Sequence, residues 1–119
     1  MNEAISHYEK RRKYPRHHLH SPIQVIDGMT QQRLGTLANL SLDGLMIMGR
    51  RPLKHDRLYQ LTLHLPQMID GKSVIQVGVD CLWSKTVQQE GIYWSGCHII
   101  DYADNDMTTL VHMIEKFGD

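Results

Sequence analysis

The 119-residue sequence predicts a mainly β domain, an antiparallel barrel or sandwich, followed by one C-terminal helix. Two stretches of strict alternation carry that reading. In 58–65, Tyr59, Leu61, Leu63 and Leu65 face one way and Gln60, Thr62 and His64 the other; in 75–83, Ile75, Val77, Val79, Cys81 and Trp83 repeat the period against Gln76, Gly78 and Asp80. The third observation is a change of period near the end, where Met107, Leu110, Val111, Ile114 and Phe117 recur at helical spacing.

The elements follow in order. Residues 1–20 are polar, basic and weakly patterned and read as a flexible arm, with a helical turn through Ala4–Tyr8. Pro15 and Pro22 disfavour a long helix there, because proline removes a backbone donor and pushes the preceding residue out of the helical region. Weaker strand signals at 22–27, 32–39, 44–49 and 90–100 join the two alternating runs, and Asp27-Gly28, Asp43-Gly44, Asp70-Gly71 and Glu90-Gly91 mark turns between them. Six short strands with no intervening helix exclude a parallel α/β sheet; closing them into a barrel would also remove exposed strand edges. Asp104 or Asn105 can cap the closing helix, and acidic residues at its start with Lys116 near its end suit the helix dipole.

Composition narrows the function classes. With 13 Lys+Arg against 13 Asp+Glu the net charge is zero, so the chain as a whole is no electrostatic partner for nucleic acid. The charge is unevenly spread: Lys10, Arg11, Arg12, Lys13 and Arg16 cluster in the arm. Cys81 and Cys97 lie in strand-like runs without C-x-x-C spacing and read as buried free thiols of a reducing compartment. No apolar signal segment and no run long enough to span a bilayer are present, so a cytoplasmic location without membrane insertion is expected.

Two short motifs carry chemistry. Arg12-Lys13-Tyr14-Pro15-Arg16 reads as R-x-x-x-R, and Asn39-Leu40-Ser41-Leu42-Asp43-Gly44 reads as N-x-S-x-x-G at a tight turn between strands. Taken alone, the first is a solvated charge run. The second is a turn ordered by the Asn39 and Ser41 side chains, with Gly44 at positive φ. Together they supply complementary halves of a site for a compact anionic purine ligand. Guanidinium groups pair bidentately with guanine or phosphate and stack on bases, while the turn offers small polar groups and a glycine that permits close approach.

In this combination the chain resembles the PilZ domain family, which binds the bacterial second messenger cyclic di-GMP. The resemblance extends to the strand ending Val79-Asp80-Cys81-Leu82-Trp83, to Gly91-Ile92-Tyr93-Trp94-Ser95-Gly96-Cys97 and to the closing helix. It implies a six-stranded antiparallel barrel with a C-terminal helix over residues 21–119, preceded by the arm of residues 1–20. It also implies ligand-binding roles: Arg12 and Arg16 on the guanines and phosphates, and Asn39, Ser41 and Gly44 as the fixed turn. Asn39 stands where aspartate also occurs, which weakens the pull on a guanine N–H, and Asp43 replaces a second glycine. Arg11 resembles the arrangement that accepts a stacked, intercalated ligand dimer, whereas an apolar residue there accompanies a single ligand.

The remaining candidates have plainer accounts. His17, His18 and His20 with Asp27 invite a metal, yet nothing in sequence completes a tetrahedral set. Ser41 lies in no G-x-S-x-G elbow, and His64 and Asp56 are solvent-facing, so no catalytic residue and no enzyme activity are expected. Trp83 and Trp94 read as core or barrel-mouth residues, and Met46 and Met48 as packing for the barrel or one flank. Three function classes follow. The first is a single-domain cyclic di-GMP receptor, without other cofactor, that regulates an effector protein, with motility, adhesion or biofilm control implied by the family. The second is a PilZ-like interaction module that binds no nucleotide. The third is a small barrel for single-stranded nucleic acid, disfavoured by zero net charge and few aromatic residues.

Overall fold

The computed structural model describes residues 14–86, 91–103 and 106–119. The expected helical turn at Ala4–Tyr8, the arginines Arg11 and Arg12, Glu90 and the cap candidates Asp104 and Asn105 lie outside them. The described elements are β1 (His17–His18), β2 (Gln24–Asp27), β3 (Arg33–Leu40), β4 (Gly44–Gly49), β5 (Leu58–Ile69), β6 (Lys72–Thr86), β7 (Tyr93–Tyr102) and α1 (Asp106–Phe117). Strands β3, β2, β5, β6, β7 and β4 are antiparallel neighbours in that order, and β4 pairs back onto β3 to close a six-stranded barrel. Only β1 lies outside the closed ring. It continues the β3 edge beyond the end of β2, pairing His17 with Leu40 and His18 with Asn39; two residues are too short to leave a period in the sequence.

Alternation dictates the core. Tyr59, Leu61 and Leu63 of β5 and Ile75, Val77, Val79 and Cys81 of β6 point inward and are buried, together with Val25, Leu37, Leu45 and Ile47 from the facing strands. Each buried aliphatic side chain contributes about 1.5–3 kcal/mol through the hydrophobic effect. Cys81 and Cys97 are directly opposite each other on β6 and β7 as free thiols, both buried. Burial, followed by the proximity of Cys81, pushes the Cys97 thiol far above its ordinary ionisation range.

Strands β5 and β6 are longer than alternation alone indicates. They run on to a two-residue turn in which Asp70 and Gly71 both take positive φ (54° and 76°), the combination that a tight hairpin favours. Pro66 breaks the sequence signal for this extension. It is accommodated because the pairing register shifts between His64 and Ile69, where no ladder donor is required.

This overhanging hairpin anchors α1. Asp106, at the first turn of the helix and buried, receives Lys72 Nζ at 2.6 Å and the Gln76 backbone N–H at 2.7 Å. That fixed point rotates the helix relative to the expected apolar face. Leu110 and Phe117 are buried as expected and Thr109 and Met113 join them, whereas Val111 and Ile114 are only half-buried and Met107 is 45% exposed. A second tie runs from Asp70, whose carboxylate accepts His112 Nδ1 at 2.7 Å and Thr109 Oγ1 at 3.2 Å.

These contacts, the His112 hydrogen bond foremost, hold the Asp70 carboxyl below its ordinary value of 3.8. A carboxyl whose pKa is lowered by folding stabilises the fold above its unfolded pKa and loses that contribution as pH falls through the lowered value. The parent chain should therefore melt above an Asp70→Asn variant near neutrality, and the gap should narrow as pH falls below the ordinary carboxylate range. Thermal melts at neutral and at acid pH check the tie, and a gap that does not narrow with acid would refute it.

Candidate functional site

The N-x-S-x-x-G segment spans the end of β3, a short turn and the start of β4. Asn39 is therefore a strand residue, and the turn itself is Ser41 to Asp43. Pairing of β3 with β4 shifts register between Leu37 and Asn39, so Ala38 is an extra residue on β3. A bulge of this kind re-aims the side chains that follow it. The Ser41 N–H donates to Gly44 O at 2.8 Å, closing the turn. Ser41 Oγ, almost completely buried, lies 2.9 Å from Asp43 Oδ1 and 3.2 Å from Gly44 O, donating toward this pair of acceptors. It also accepts the Asp43 N–H at 3.4 Å. Asp43, in the place of a second glycine, thus contributes to the turn through its carboxylate.

Gly44 differs from expectation. Its φ is not positive; it is an extended β4 residue paired with His98. Its requirement is space: a Cβ there would lie 3.2 Å from Cys97 O, 3.8 Å from Ser41 Oγ and 3.9 Å from Arg16 Nη2. The tight contact is with the Cys97 carbonyl; the Ser41 hydroxyl and the Arg16 guanidinium stand at ordinary contact distance from the same point, so the ends of the two motifs meet at Gly44.

Arg16 is delivered by the segment that continues into β1. The His20 N–H donates to Phe117 O at 2.7 Å, His18 N–H to Asp119 Oδ1 at 3.0 Å, and His17 Nδ1 to Asp119 O at 2.8 Å. The three histidines that invited a metal reading thus stand along the junction with the end of the chain, and no set of three metal-ligating side chains comes together among the described residues. On the barrel side, Asn39 is 9% exposed, and its Oδ1 is a buried acceptor with no hydrogen-bond partner among the described residues. Buried polar atoms are ordinarily satisfied, and an acceptor left open suits a ligand with N–H donors. Of the six residues singled out from sequence, Arg16, Ser41 and Gly44 are brought together, with Asn39 two residues before Ser41 at the end of β3; Arg11 and Arg12 lie outside the described residues.

Tyr102, at the end of β7, was not singled out from sequence. Its hydroxyl donates to Leu42 O inside the turn, sixty residues away in the chain. Burial first, then the charge of Asp43 and the neighbouring Tyr14, pushes its ionisation up to about 12. No local pattern signals a tyrosine whose role depends on barrel closure. The Asp43 carbonyl also accepts the Ile99 N–H at 2.8 Å, so β7 fixes the turn twice.

Among the packing residues, Met46 is buried and Met48 is 42% exposed, and both tryptophans are half-buried. The Trp83 ring lies so close to Gly96 that a Cβ there would approach its Cε2 to 2.3 Å. Trp83 therefore covers the barrel wall and is not presented as a free stacking platform.

Replacing Tyr102 by phenylalanine should strand the Leu42 carbonyl and cost about 1 kcal/mol. The loss should be constant from pH 6 to pH 9, because the phenol stays protonated throughout that range. Hydrogen exchange at the Ser41 and Ile99 amides should accelerate in the variant; unchanged exchange would show that Tyr102 does not hold the turn.

The comparisons with known proteins agree with this architecture. The PilZ domain family model matches residues 10–116. No curated protein sequence matches the chain. Among solved structures, the inhibitor of motility MotI/DgrA of Bacillus subtilis is similar at 16% identity with a TM-score of 0.67, over 89% of this chain and 50% of that one. The K. pneumonia MrkH–c-di-GMP complex is similar at 18% identity with a TM-score of 0.67, over 89% and 52%. The PilZ domain of YcgR from Escherichia coli, solved with c-di-GMP, matches at 14% identity with a TM-score of 0.60, over 89% and 96%. The chain therefore spans about half the length of the first two and nearly all of the third. The strand order, the closing helix and a family match across nearly the whole chain lead to one conclusion: this chain belongs to the PilZ domain family.

Proposed function

We propose that this protein is a cyclic di-GMP receptor that works as an adaptor, not as an enzyme. The observation that carries the reading is the meeting of the two motifs at Gly44, where the Arg16 guanidinium and the Ser41 hydroxyl both come close, with the open buried acceptor Asn39 Oδ1 two residues before Ser41. Cyclic di-GMP offers what such a site lacks. Its guanine N–H groups suit Asn39 Oδ1, and its phosphates and guanine O6/N7 edges suit Arg12 and Arg16. Ser41 and Gly44 hold the barrel side of the site. Two neighbours of the same fold are solved with this ligand, which supports the reading.

In this reading the basic part of residues 1–20 that precedes β1 closes over the ligand on the barrel of residues 21–119. The protein surface changes with it, and so does the choice of an effector protein. The setting is the bacterial cytoplasm, and the output is motility, adhesion or biofilm control. Arg11 sets the stoichiometry by favouring an intercalated ligand dimer.

Calorimetric titration of the full chain tests these roles. Cyclic di-GMP should bind saturably and a short single-stranded oligonucleotide should not, with a ligand-to-protein ratio near two; a ratio near one would remove the role of Arg11. Arg12→Ala and Arg16→Ala should each weaken binding by about tenfold or more, with melting temperature nearly unchanged. No binding of the dinucleotide by the parent chain would leave a protein-interaction module that kept the fold.

A further inference from the structure

A second concentration of positive charge lies at the far end of the β3–β4 hairpin. The eight residues of β3, at about 3.3 Å each, separate it from the Ser41–Asp43 turn by about 26 Å. Here the β2–β3 turn and the β4–β5 loop enclose an open cavity of about 560 Å³ whose walls carry Arg33, Arg50, Arg51, Lys54 and Arg57, with Asp27 as the one carboxylate. Although the chain is neutral as a whole, this basin is strongly cationic.

Among the described residues, no ion pair compensates these charges. Asp27 is buried and committed to its own turn, accepting the Met29 N–H at 2.8 Å and the Thr30 N–H at 3.4 Å. Arg33 donates to Gln24 Oε1 and to Thr36 Oγ1, partners that steady it without neutralising it. The ion pairs among the described residues are His55–Asp56, Lys72–Asp106 and His112–Asp70, so none involves a cation of the basin. Like charges held together without counter-charge work against the compact state.

The basin is also built. The Leu53 N–H donates to Ser95 Oγ at 3.3 Å, and Leu53 O accepts Ser84 Oγ at 2.8 Å, the two hydroxyls being 2.8 Å apart in a buried cluster. The Lys54 N–H donates to Tyr59 Oη at 2.9 Å, and the Arg57 guanidinium lies 5.1 Å above the same ring. Backbone bonds from Asp56 N–H to Cys81 O and from Cys81 N–H to Arg57 O fasten the far end of the loop to β6. On the opposite wall, two glycines set the approach of the strands. A Cβ at Gly35 (φ 153°) would fall 2.2 Å from Met48 O, and one at Gly49 would fall 2.1 Å from Leu34 O. Only this contact of bare backbones brings the Arg33 end of β3 so close to the Arg50 end of β4.

We propose that this basin is a second ligand site, distinct from the dinucleotide site, for a compact small molecule bearing adjacent phosphates, either a free polyphosphate or a nucleoside polyphosphate. Four of its five cations are arginines, whose planar forks pair bidentately with phosphate oxygens. Five positive charges facing one committed carboxylate call for a multiply charged anion. The bounded cavity, and a Tyr59 ring that is buried and capped by Arg57, favour a small molecule over a nucleic-acid strand, which needs a continuous groove with exposed stacking surfaces.

The test uses the full chain, titrated calorimetrically with inorganic triphosphate, GTP and a single-stranded oligonucleotide. Triphosphate should bind at a ratio of one, equally well to the parent and to Arg16→Ala. An Arg51→Gln/Arg57→Gln variant should lose about tenfold or more of that affinity and keep its melting temperature and its cyclic di-GMP titration. Tighter binding of GTP than of triphosphate assigns the nucleoside polyphosphate as the ligand; equal binding assigns the phosphates alone. The proposal is overturned if neither phosphate compound binds, or if the double variant binds them like the parent. Oligonucleotide binding tighter than triphosphate, or loss of the cyclic di-GMP titration in the double variant, would overturn it as well. Failure of the dinucleotide reading appears separately, in the parent's cyclic di-GMP titration.

Discussion

Closure of the barrel through β4 is the constraint on which the rest of the molecule depends. This six-residue strand is hydrogen-bonded to β3 on one side and to β7 on the other, so its ladder groups are paired along both edges. Without it the sheet would have two open edges, each a template for association, and the inward side chains of β3 and β7 would lose their common core. Closure demands close approach of backbones at specific places. Gly44 and Gly49 at the two ends of β4, with Gly35 opposite, are the residues that permit it.

The same closure makes the ends of the β3–β4 hairpin chemically different. At one end the chain reverses through a turn fixed by its own hydroxyl and carboxylate and by β7, and the Arg16 guanidinium meets it. At the other end the strands flare into loops that hold cationic side chains around a cavity. One hairpin therefore carries a proposed site at each end, with the packed core between them.

Much of this was legible in the sequence because it is periodic or punctuated. The alternation of 58–65 and 75–83 located β5 and β6, and Asp-Gly pairs located turns, because those signals arise from local backbone chemistry. Non-local contacts are what escaped. Tyr102 bonds to Leu42 only because the barrel is closed, and the helix presents Met113 inward only because Asp106 is pinned to Lys72 and Gln76. The cationic basin gathers Arg33 with residues 50–57, which are separated in sequence by a strand and show no motif. Gly44 illustrates the limit most clearly: the glycine was readable as a special position, but what crowds it is the Cys97 carbonyl across the β4–β7 ladder rather than its own φ.

The pair of thiols in the barrel wall has a practical consequence. Cys81 and Cys97 face each other across β6 and β7 behind the core side chains, buried and out of reach of reagents in solution. Neither belongs to the helix, and both are held in the ladders of the closed ring, Cys81 to Asp56 and Arg57 as well as to Cys97. A thiol-modifying reagent would therefore react only with molecules whose barrel has come apart, and its rate of incorporation would measure how often the closed ring opens as a whole. The chain carries its own clock for global opening, and a ligand that binds only the closed barrel would slow it.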